Sequence, residues 1–111
     1  MRPILTPDKV NAEAAKTIAA FHLDTVHEIE TAIKNNEWVI VGMAHNPVVK
    51  GAKNFLAEKK IAFHYIGHGN YFSQWKRRLA IKLWSGWPTF PQVFHKGQLI
   101  GGFEDLKKYL K

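Results

Sequence analysis

The sequence predicts an α/β protein in which a mixed four-stranded sheet is covered by helices on both faces. Two apolar runs, residues 38–41 and 61–66, flank a segment with helical periodicity, which is typical of two parallel strands joined by a crossover helix. A later pair of strands surrounds Lys96-Gly97, a tight-turn sequence that makes this pair an antiparallel hairpin. With 111 residues, 46% of them hydrophobic, the chain is long enough to bury a core.

The first 37 residues are expected to form two helices packed on a domain that occupies residues 38–111. Thr6-Pro7-Asp8 predicts the start of the first helix, because threonine is a good N-cap and proline suits the first helical position. An alanine-rich stretch then continues to about Ala20. Asp24 is expected to cap the second helix.

The remaining elements follow from periodicity and turn residues. Residues 38–41 predict a buried central strand, and residues 61–66 predict the second strand. Pro47 opens a helix whose expected apolar face is Val48, Val49, Ala52, Phe55 and Leu56. Residues 71–84 predict another helix, with Phe72, Trp75, Leu79 and Leu83 inward and with Lys76, Arg77, Arg78 and Lys82 outward. Strands at residues 92–95 and 98–100 and a helix at 103–110 complete the order.

Composition excludes several kinds of chemistry. The chain contains no cysteine, so its own residues form no disulfide, thiolate metal site or catalytic thiol. The net charge of +7 favours an anionic small ligand or an acidic partner. Because the basic residues are dispersed, nucleic-acid binding is not favoured. No apolar run reaches the ~20 residues of a membrane span, and the N-terminus lacks the apolar core of a signal peptide, so we expect a cytoplasmic protein without a membrane partner.

Residues 82–106, KLWSGWPTFPQVFHKGQLIGGFEDL, resemble the C-terminal half of glutaredoxins, most closely the monothiol class. The match rests on Trp87-Pro88-Thr89-Phe90-Pro91, Lys96-Gly97 and Gly101-Gly102, which have the order and spacing of that family. The resemblance covers about Trp38 to Leu110, and the whole chain is similar to a small bacterial group with the same N-terminal extension. It implies a thioredoxin-like (glutaredoxin) fold.

The resemblance also implies a groove for glutathione. In the family the proline equivalent to Pro91 is cis, which turns the backbone of Phe90 outward to pair with an extended peptide. A basic residue nine positions before Trp87, here Arg78, meets the glycyl carboxylate, and the backbone at Phe103 and Glu104 meets the γ-glutamyl group. The ligand-binding residues predicted in this way are Asn46, Arg78, Thr89, Phe90, Pro91, Gly102, Phe103 and Glu104.

Three departures from the family pattern fall in the redox loop. Asn46 stands at the position of the nucleophilic cysteine, Val49 at the second redox position, and Met43 near the position of a supporting lysine. Asparagine is neither a thiol nor a ligand of iron–sulfur clusters, so no such cluster is expected on the chain's own residues. Since Pro47 follows it, Asn46 can instead cap a helix.

The sequence therefore favours a protein that binds glutathione, a related anion or an extended peptide in a degenerate active-site groove and does not catalyse disulfide exchange. Two alternatives stay open at this point. One is glutathione-dependent oxidoreductase activity linked to redox homeostasis, with bound glutathione as the only thiol. The other is a scaffold that docks a partner protein, with a dimer through the N-terminal helices as one form.

Two further residue groups favour structural roles. His45, His64, His68 and His95 lack the paired spacing of a zinc helix, so no metal site is expected. Three tryptophans could form an exposed aromatic platform, but packing in the core and loops is the favoured prediction; they are Trp75, Trp84 and Trp87.

Overall fold

The computed structural model describes residues 7–9, 11–43, 46–67 and 75–111, apart from the side chains of residues 7, 18 and 19. These residues form five α-helices and four β-strands. In chain order they are α1 (Ala12–Ala20), α2 (Leu23–Asn35), β1 (Trp38–Gly42), α3 (Pro47–Glu58), β2 (His64–Gly67), α4 (Trp75–Ser85), β3 (Gln92–His95), β4 (Gln98–Gly101) and α5 (Phe103–Tyr109). No helix in the described ranges is long and apolar enough to cross a membrane.

The sheet has the strand order β2-β1-β3-β4. β1 pairs parallel with β2 and antiparallel with β3, and β3 pairs antiparallel with β4. Every residue of β1 is buried, as expected of a central strand. The hairpin turn at Lys96-Gly97 also lies where the sequence predicts it, with positive φ at both residues. The mixed four-stranded α/β fold is therefore confirmed.

Two apolar cores lie on the two faces of the sheet, because successive residues of β1 point in opposite directions. Helices α2 and α4 pack against each other beside the first core, and α3 and α5 pack beside the second. The first core consists of Ile29, Ala32, Val39, Val41, Met43, Val49, Ile66, Ile81, Phe90 and Phe94. The second core consists of Trp38, Ile40, Ala52, Leu56, Val93 and Leu106.

The N-terminal segment begins differently from the prediction. Pro7–Lys9 forms a short 3-10 turn, and α1 starts only at Ala12. Asn11 acts at this start, since its Oδ1 accepts a hydrogen bond from the Ala14 N–H at 2.8 Å. The predicted cap Thr6 lies outside the described residues.

The prediction that Asp24 caps α2 is wrong. Asp24 lies inside the first turn, and His22 precedes the helix in a left-handed conformation with φ 43°. The Asp24 carboxylate instead accepts a hydrogen bond from Arg77 Nη1 at 2.6 Å, and the same guanidinium nitrogen donates to Oγ1 of the buried Thr25. The polar residue at the helix start therefore joins α2 to α4.

α4 presents a different face to the core from the one predicted. Trp75, Leu79 and Leu83 are exposed, whereas Arg78, Ala80 and Ile81 are buried. The segment carries two apolar stripes, and the one with Ile81 joins residues of the sheet and of α2 in the first core. The predicted N-terminal part of this helix, residues 71–74, lies outside the described residues.

Smaller corrections concern α3 and β2. Val48 was expected on the apolar face of α3 but is 47% exposed, while Val49, Ala52 and Leu56 are buried. β2 starts at His64 and not at residue 61.

Candidate functional site

The start of α3 is fixed by Asn46. Its Oδ1 accepts hydrogen bonds from the N–H groups of Val48 at 2.9 Å and Val49 at 3.1 Å. Pro47 occupies the first helical position, where its missing N–H leaves no helix bond unmade. The N-cap role predicted for Asn46 is confirmed. Its carboxamide has no nucleophilic atom comparable to a thiolate.

The other two departures from the family pattern are core residues. Val49 is 2% exposed and Met43 is 6% exposed, and both belong to the first core together with Phe90. A Cβ atom placed on Gly42, at the end of β1, would lie 2.6 Å from Val49 Cγ1. The space behind the loop between β1 and α3 is thus filled by apolar side chains.

One predicted feature of the loop before β3 is observed. The Phe90–Pro91 peptide bond is cis. The Phe90 side chain and Pro91 are buried, whereas Thr89 is exposed. Lys82 Nζ lies 5.6 Å from the centre of the Phe90 ring, so a cation of α4 stands next to this loop.

The start of α5 lies against this loop. A Cβ atom placed on Gly102 would lie 3.7 Å from the carbonyl oxygen of Pro91 and 3.8 Å from Trp87 Nε1. The Gly102 N–H donates to Asp105 Oδ2 at 3.0 Å, which holds the first turn of α5. We call the surface between the start of α3, residues 89–91 and residues 102–104 the Pro91–Gly102 groove.

Two predicted residues of this groove already have neighbours. The Phe103 ring packs on α3, with its centre 6.0 Å from that of Phe55 and a ring carbon 2.8 Å from a Cβ placed on Gly51. Glu104 is exposed and forms an ion pair with Lys107 at 3.0 Å. Because an exposed pair of this kind is weak, Glu104 can exchange this partner for a ligand at little cost.

Arg78 is the predicted residue whose placement differs most from expectation. It was assigned to the outward face of α4 but is only 7% exposed. The structure places Gly102 beside Pro91, packs Phe103 on α3, which follows the N-cap Asn46, and buries Arg78 in α4. The assignment of all eight residues to ligand binding stays a prediction.

The histidine and tryptophan candidates are dispersed. In the described part of the chain, no three His, Asp or Glu side chains form a group that could hold a metal ion. His95 stacks on Trp38 and has Tyr109 Oη at 2.8 Å from Nδ1, while His64 lies on another strand, and residues 45 and 68 lie outside the described ranges. Trp84 packs on Phe94 and Trp75 is exposed, so these tryptophans form no common platform.

Sequence reasoning missed a cleft of about 590 Å³ between α3 and β2, which we call the α3 cleft. Its polar lining residues are Asn46, Lys50, Lys53, Asn54 and Tyr65. Of the eight predicted ligand-binding residues, all of them described, Asn46 alone lines it. The signal was present in the spacing, because positions 46, 50, 53 and 54 fall on one side of a helix.

The sequence also gave no reason to single out two buried polar atoms near the groove. Trp87 Nε1 and Gln92 Oε1 have no hydrogen-bond partner in the described part of the chain. Gln92 is nevertheless held in place, since its Nε2 donates to the Trp87 carbonyl oxygen at 3.1 Å. These two residues tie the loop before β3 to the strand itself.

A sheet of this order, a cis-proline before β3 and a glycine pair before the last helix define a protein of the thioredoxin-like fold class. Comparison with known proteins identifies the family within this fold class. The family model described as Glutaredoxin matches residues 47–100. A glutaredoxin-like protein of Dictyostelium discoideum is 45% identical over 98% of this chain and 87% of its own length. A probable monothiol glutaredoxin 2 of Rickettsia felis is 35% identical over 75% of this chain and 90% of its own length.

The solved structures agree with the sequence relatives. The crystal structure of a buckwheat glutaredoxin–glutathione complex has a TM-score of 0.67 with this fold at 16% identity, over 79% of this chain and 80% of that one. At this identity the likeness shows the fold alone. The sequence relatives show that the chain belongs to the glutaredoxin family.

Proposed function

We propose that this protein is a non-catalytic member of the glutaredoxin family that binds glutathione, or a related anionic peptide, in the Pro91–Gly102 groove. One observation carries the proposal. In a chain without cysteine, Gly102 lies against Pro91 at the place where the family binds glutathione, while Met43 and Val49 are core residues. Thiol–disulfide exchange needs a thiolate that attacks a sulfur atom, and no residue of this chain supplies one.

The wall of this groove suits a peptide more than a bulky apolar ligand. The Phe90 side chain and Pro91 are buried and the Phe103 ring packs on α3, so the backbone at Phe90 is left to pair with the amides of an extended ligand. Lys82 beside Phe90, with Arg78 deeper in α4, would attract a ligand carboxylate. The structure of the buckwheat protein in complex with glutathione supports the choice of glutathione as the first ligand to test.

The first experiment is a titration of ¹⁵N-labelled protein with reduced glutathione. A concentration of about 10 mM nearly saturates a site with a binding free energy of about −4 kcal/mol. We expect saturable shifts of the Gly102, Phe103 and Glu104 amides. Gly102→Leu should abolish them, because its side chain would extend from the Cβ position between Pro91 and Trp87.

Gly102→Ala is the matched control for this blocking substitution. Its Cβ atom meets neighbours only at 3.7 Å or more, which is ordinary contact, so binding should persist. Absence of shifts at these amides in the unsubstituted protein would rule out the groove. Turnover by the unsubstituted protein in a glutathione-coupled disulfide assay would instead favour the oxidoreductase alternative.

A second experiment installs a reporter thiol, Asn46→Cys. Its thiolate can attack oxidised glutathione, forming a protein–glutathione mixed disulfide and releasing one glutathione thiolate. A helix N-terminus activates any thiol, so the informative quantity is the rate with oxidised glutathione divided by the rate with hydroxyethyl disulfide. We expect this ratio to exceed that of Lys34→Cys, an exposed site on α2, by about tenfold, which corresponds to about 1.4 kcal/mol of recognition. Equal ratios would show that the groove does not recognise glutathione.

A further inference from the structure

The α3 cleft is separate from the Pro91–Gly102 groove. β1 lies between β2 and β3 in the sheet. Tyr65, on β2, lines the α3 cleft, whereas Pro91 directly precedes β3. The two surfaces therefore lie on opposite sides of the end of β1 and meet only at the start of α3.

One wall of the α3 cleft is a line of hydrogen-bond donors along α3. Lys50, Lys53 and Asn54 line the cleft at spacings of three and four residues, and Asn46 continues the line one turn earlier. Among the described residues that line the cleft there is no aspartate or glutamate. Two cations without an opposing carboxylate make this wall attractive to an anion.

The opposite wall fixes the position of one of these cations. Lys53 Nζ lies 4.0 Å from the centre of the Tyr65 ring, a cation–π contact that restrains a side chain which would otherwise move freely. Tyr65 is partly buried and packs against both cores. Its hydroxyl lies against Gly67, since a Cβ atom placed on that glycine would be 2.6 Å from the Tyr65 oxygen. Burial raises the pKa of Tyr65, so its phenol adds no negative charge to the cleft at neutral pH.

The remaining lining residues are apolar. Met43, Pro47 and Val49 line the cleft, and two of them, Met43 and Val49, belong to the first core. The volume of about 590 Å³ lies within the range of small-molecule sites, roughly 300–1,000 Å³. Pro47 is exposed, whereas Met43 and Val49 are buried, so a ligand that fills this cleft needs a charged end for the lysines and an apolar part for the Pro47 ring.

We propose that the α3 cleft binds a small organic anion, with its phosphate or carboxylate group between Lys50 and Lys53 and its apolar part against the exposed Pro47 ring. Asn54 and the Tyr65 hydroxyl supply neutral donors in the same cleft. The proposal goes beyond glutathione binding and does not depend on it, because the two surfaces share Asn46 and no other predicted ligand-binding residue.

Amide shifts of ¹⁵N-labelled protein titrated with phenyl phosphate, phenylacetate and benzylamine test this site. We expect saturable shifts at Lys50, Lys53, Asn54 and Tyr65 with one or both anions and none with the cationic benzylamine. The tighter of the two anions identifies the preferred head group. Inorganic phosphate should bind at least about tenfold more weakly than phenyl phosphate, because it lacks the apolar part.

The double variant Lys50→Gln/Lys53→Gln should bind the preferred aromatic anion at least about tenfold more weakly, a change of about 1.4 kcal/mol. Lys16→Gln/Lys34→Gln alters the net charge equally at exposed positions of α1 and α2 and should leave binding unchanged. Shifts that survive the first double variant, or that disappear equally in the control, would overturn the proposal, as would the absence of shifts with both aromatic anions. If inorganic phosphate bound as tightly as phenyl phosphate, the claim that the cleft also binds an apolar group would be overturned. Glutathione binding is followed at the amides of residues 102–104 and anion binding at those of the α3 cleft. Either proposal can therefore fail while the other holds.

Discussion

At the scale of single residues, the start of α3 shows a structural role at the position where the resemblance places a nucleophile in the family. The Oδ1 atom of Asn46 accepts hydrogen bonds from two backbone N–H groups. A thiol sulfur is a weaker acceptor for such bonds. Val49, three residues on, fills space next to Gly42 where a polar or reactive group would be buried. Both residues stabilise the helix start, and neither offers a group for redox chemistry.

Asn46→Ala should lower the free energy of unfolding by about 1 kcal/mol, because two N–H groups of α3 lose their acceptor. Asn46→Asp should keep the cap and retain most of the stability, since its carboxylate also interacts favourably with the helix dipole. Urea denaturation followed by circular dichroism measures both. Asn54→Ala, at an exposed position of the same helix, is the control and should cost little. Equal losses for the Ala and Asp variants at residue 46 would contradict the capping role.

Gly42→Ala should destabilise the protein by about 1–3 kcal/mol through overpacking against Val49. The new Cβ would lie 2.6 Å and 2.9 Å from the two Val49 methyl carbons and 3.3 Å from its Cβ, so rotation of the valine cannot clear all three contacts. Val49→Ala removes both methyl groups, and the cost of Gly42→Ala should fall in that background. A double-mutant cycle measures this coupling, and strictly additive effects would show that the two residues do not press on each other.

Local chemistry explains which single residues could be predicted from the sequence. Asn46 as a cap and the hairpin at Lys96-Gly97 depend on neighbours within a few positions, and both are confirmed. The burial of Arg78 and the pairing of Lys53 with Tyr65 depend on how α3 and α4 sit against the sheet. These are tertiary contacts, and no pattern along the chain predicts them.

At the scale of elements, α4 shows where periodicity is ambiguous. Trp75, Leu79 and Leu83 recur every four residues, so they form the more regular stripe. The structure nevertheless buries Ala80 and Ile81, and Ile81 belongs to the first core. Element order and type were predictable here, but the rotation of α4 about its axis was not.

The contact between α2 and α4 makes a prediction about pH. The hydrogen bond from Arg77 is the main cause that holds the pKa of Asp24 below its ordinary value of 3.8. Because this pKa is lower in the folded state, the stabilisation is complete above the unfolded pKa and is lost as the pH falls through the folded one. Asp24→Asn should therefore lower Tm at pH 7, and the difference from the unsubstituted protein should shrink below about pH 4.

Thermal unfolding followed between neutral and strongly acidic pH checks this prediction. Glu30→Gln is the control for net charge, since Glu30 is exposed on the same helix. The effect should be small because Asp24 itself is exposed to solvent. A Tm difference that stays constant down to the acid limit would show that the Asp24 carboxylate contributes nothing to the contact between the helices.

At the scale of the whole molecule, the two N-terminal helices differ in what they contribute. Thr25, Ile29 and Ala32 of α2 are buried, and the last two belong to the first core. The described side chains of α1 are exposed. The boundary predicted after residue 37 stays a prediction, but the packing indicates that α2 is required for the sheet to be covered on one face.

Removal of residues 1–20 should therefore leave a cooperatively folded protein with a Tm close to that of the full chain, whereas removal of residues 1–36 should abolish cooperative unfolding. Truncating a buried isoleucine to alanine costs about 2–5 kcal/mol by itself, and loss of the whole of α2 uncovers Val39 and Ile81 as well. A domain of this size has about 5–15 kcal/mol of total stability, which such a loss would largely consume. Calorimetry of both truncated forms, with Ile29→Ala in the full chain as a graded reference, measures the effect. If the form that begins at residue 37 unfolded in a cooperative transition near the Tm of the full chain, the sheet would be stable without α2, and the N-terminal segment would be an appendage of the fold and not a part of its core.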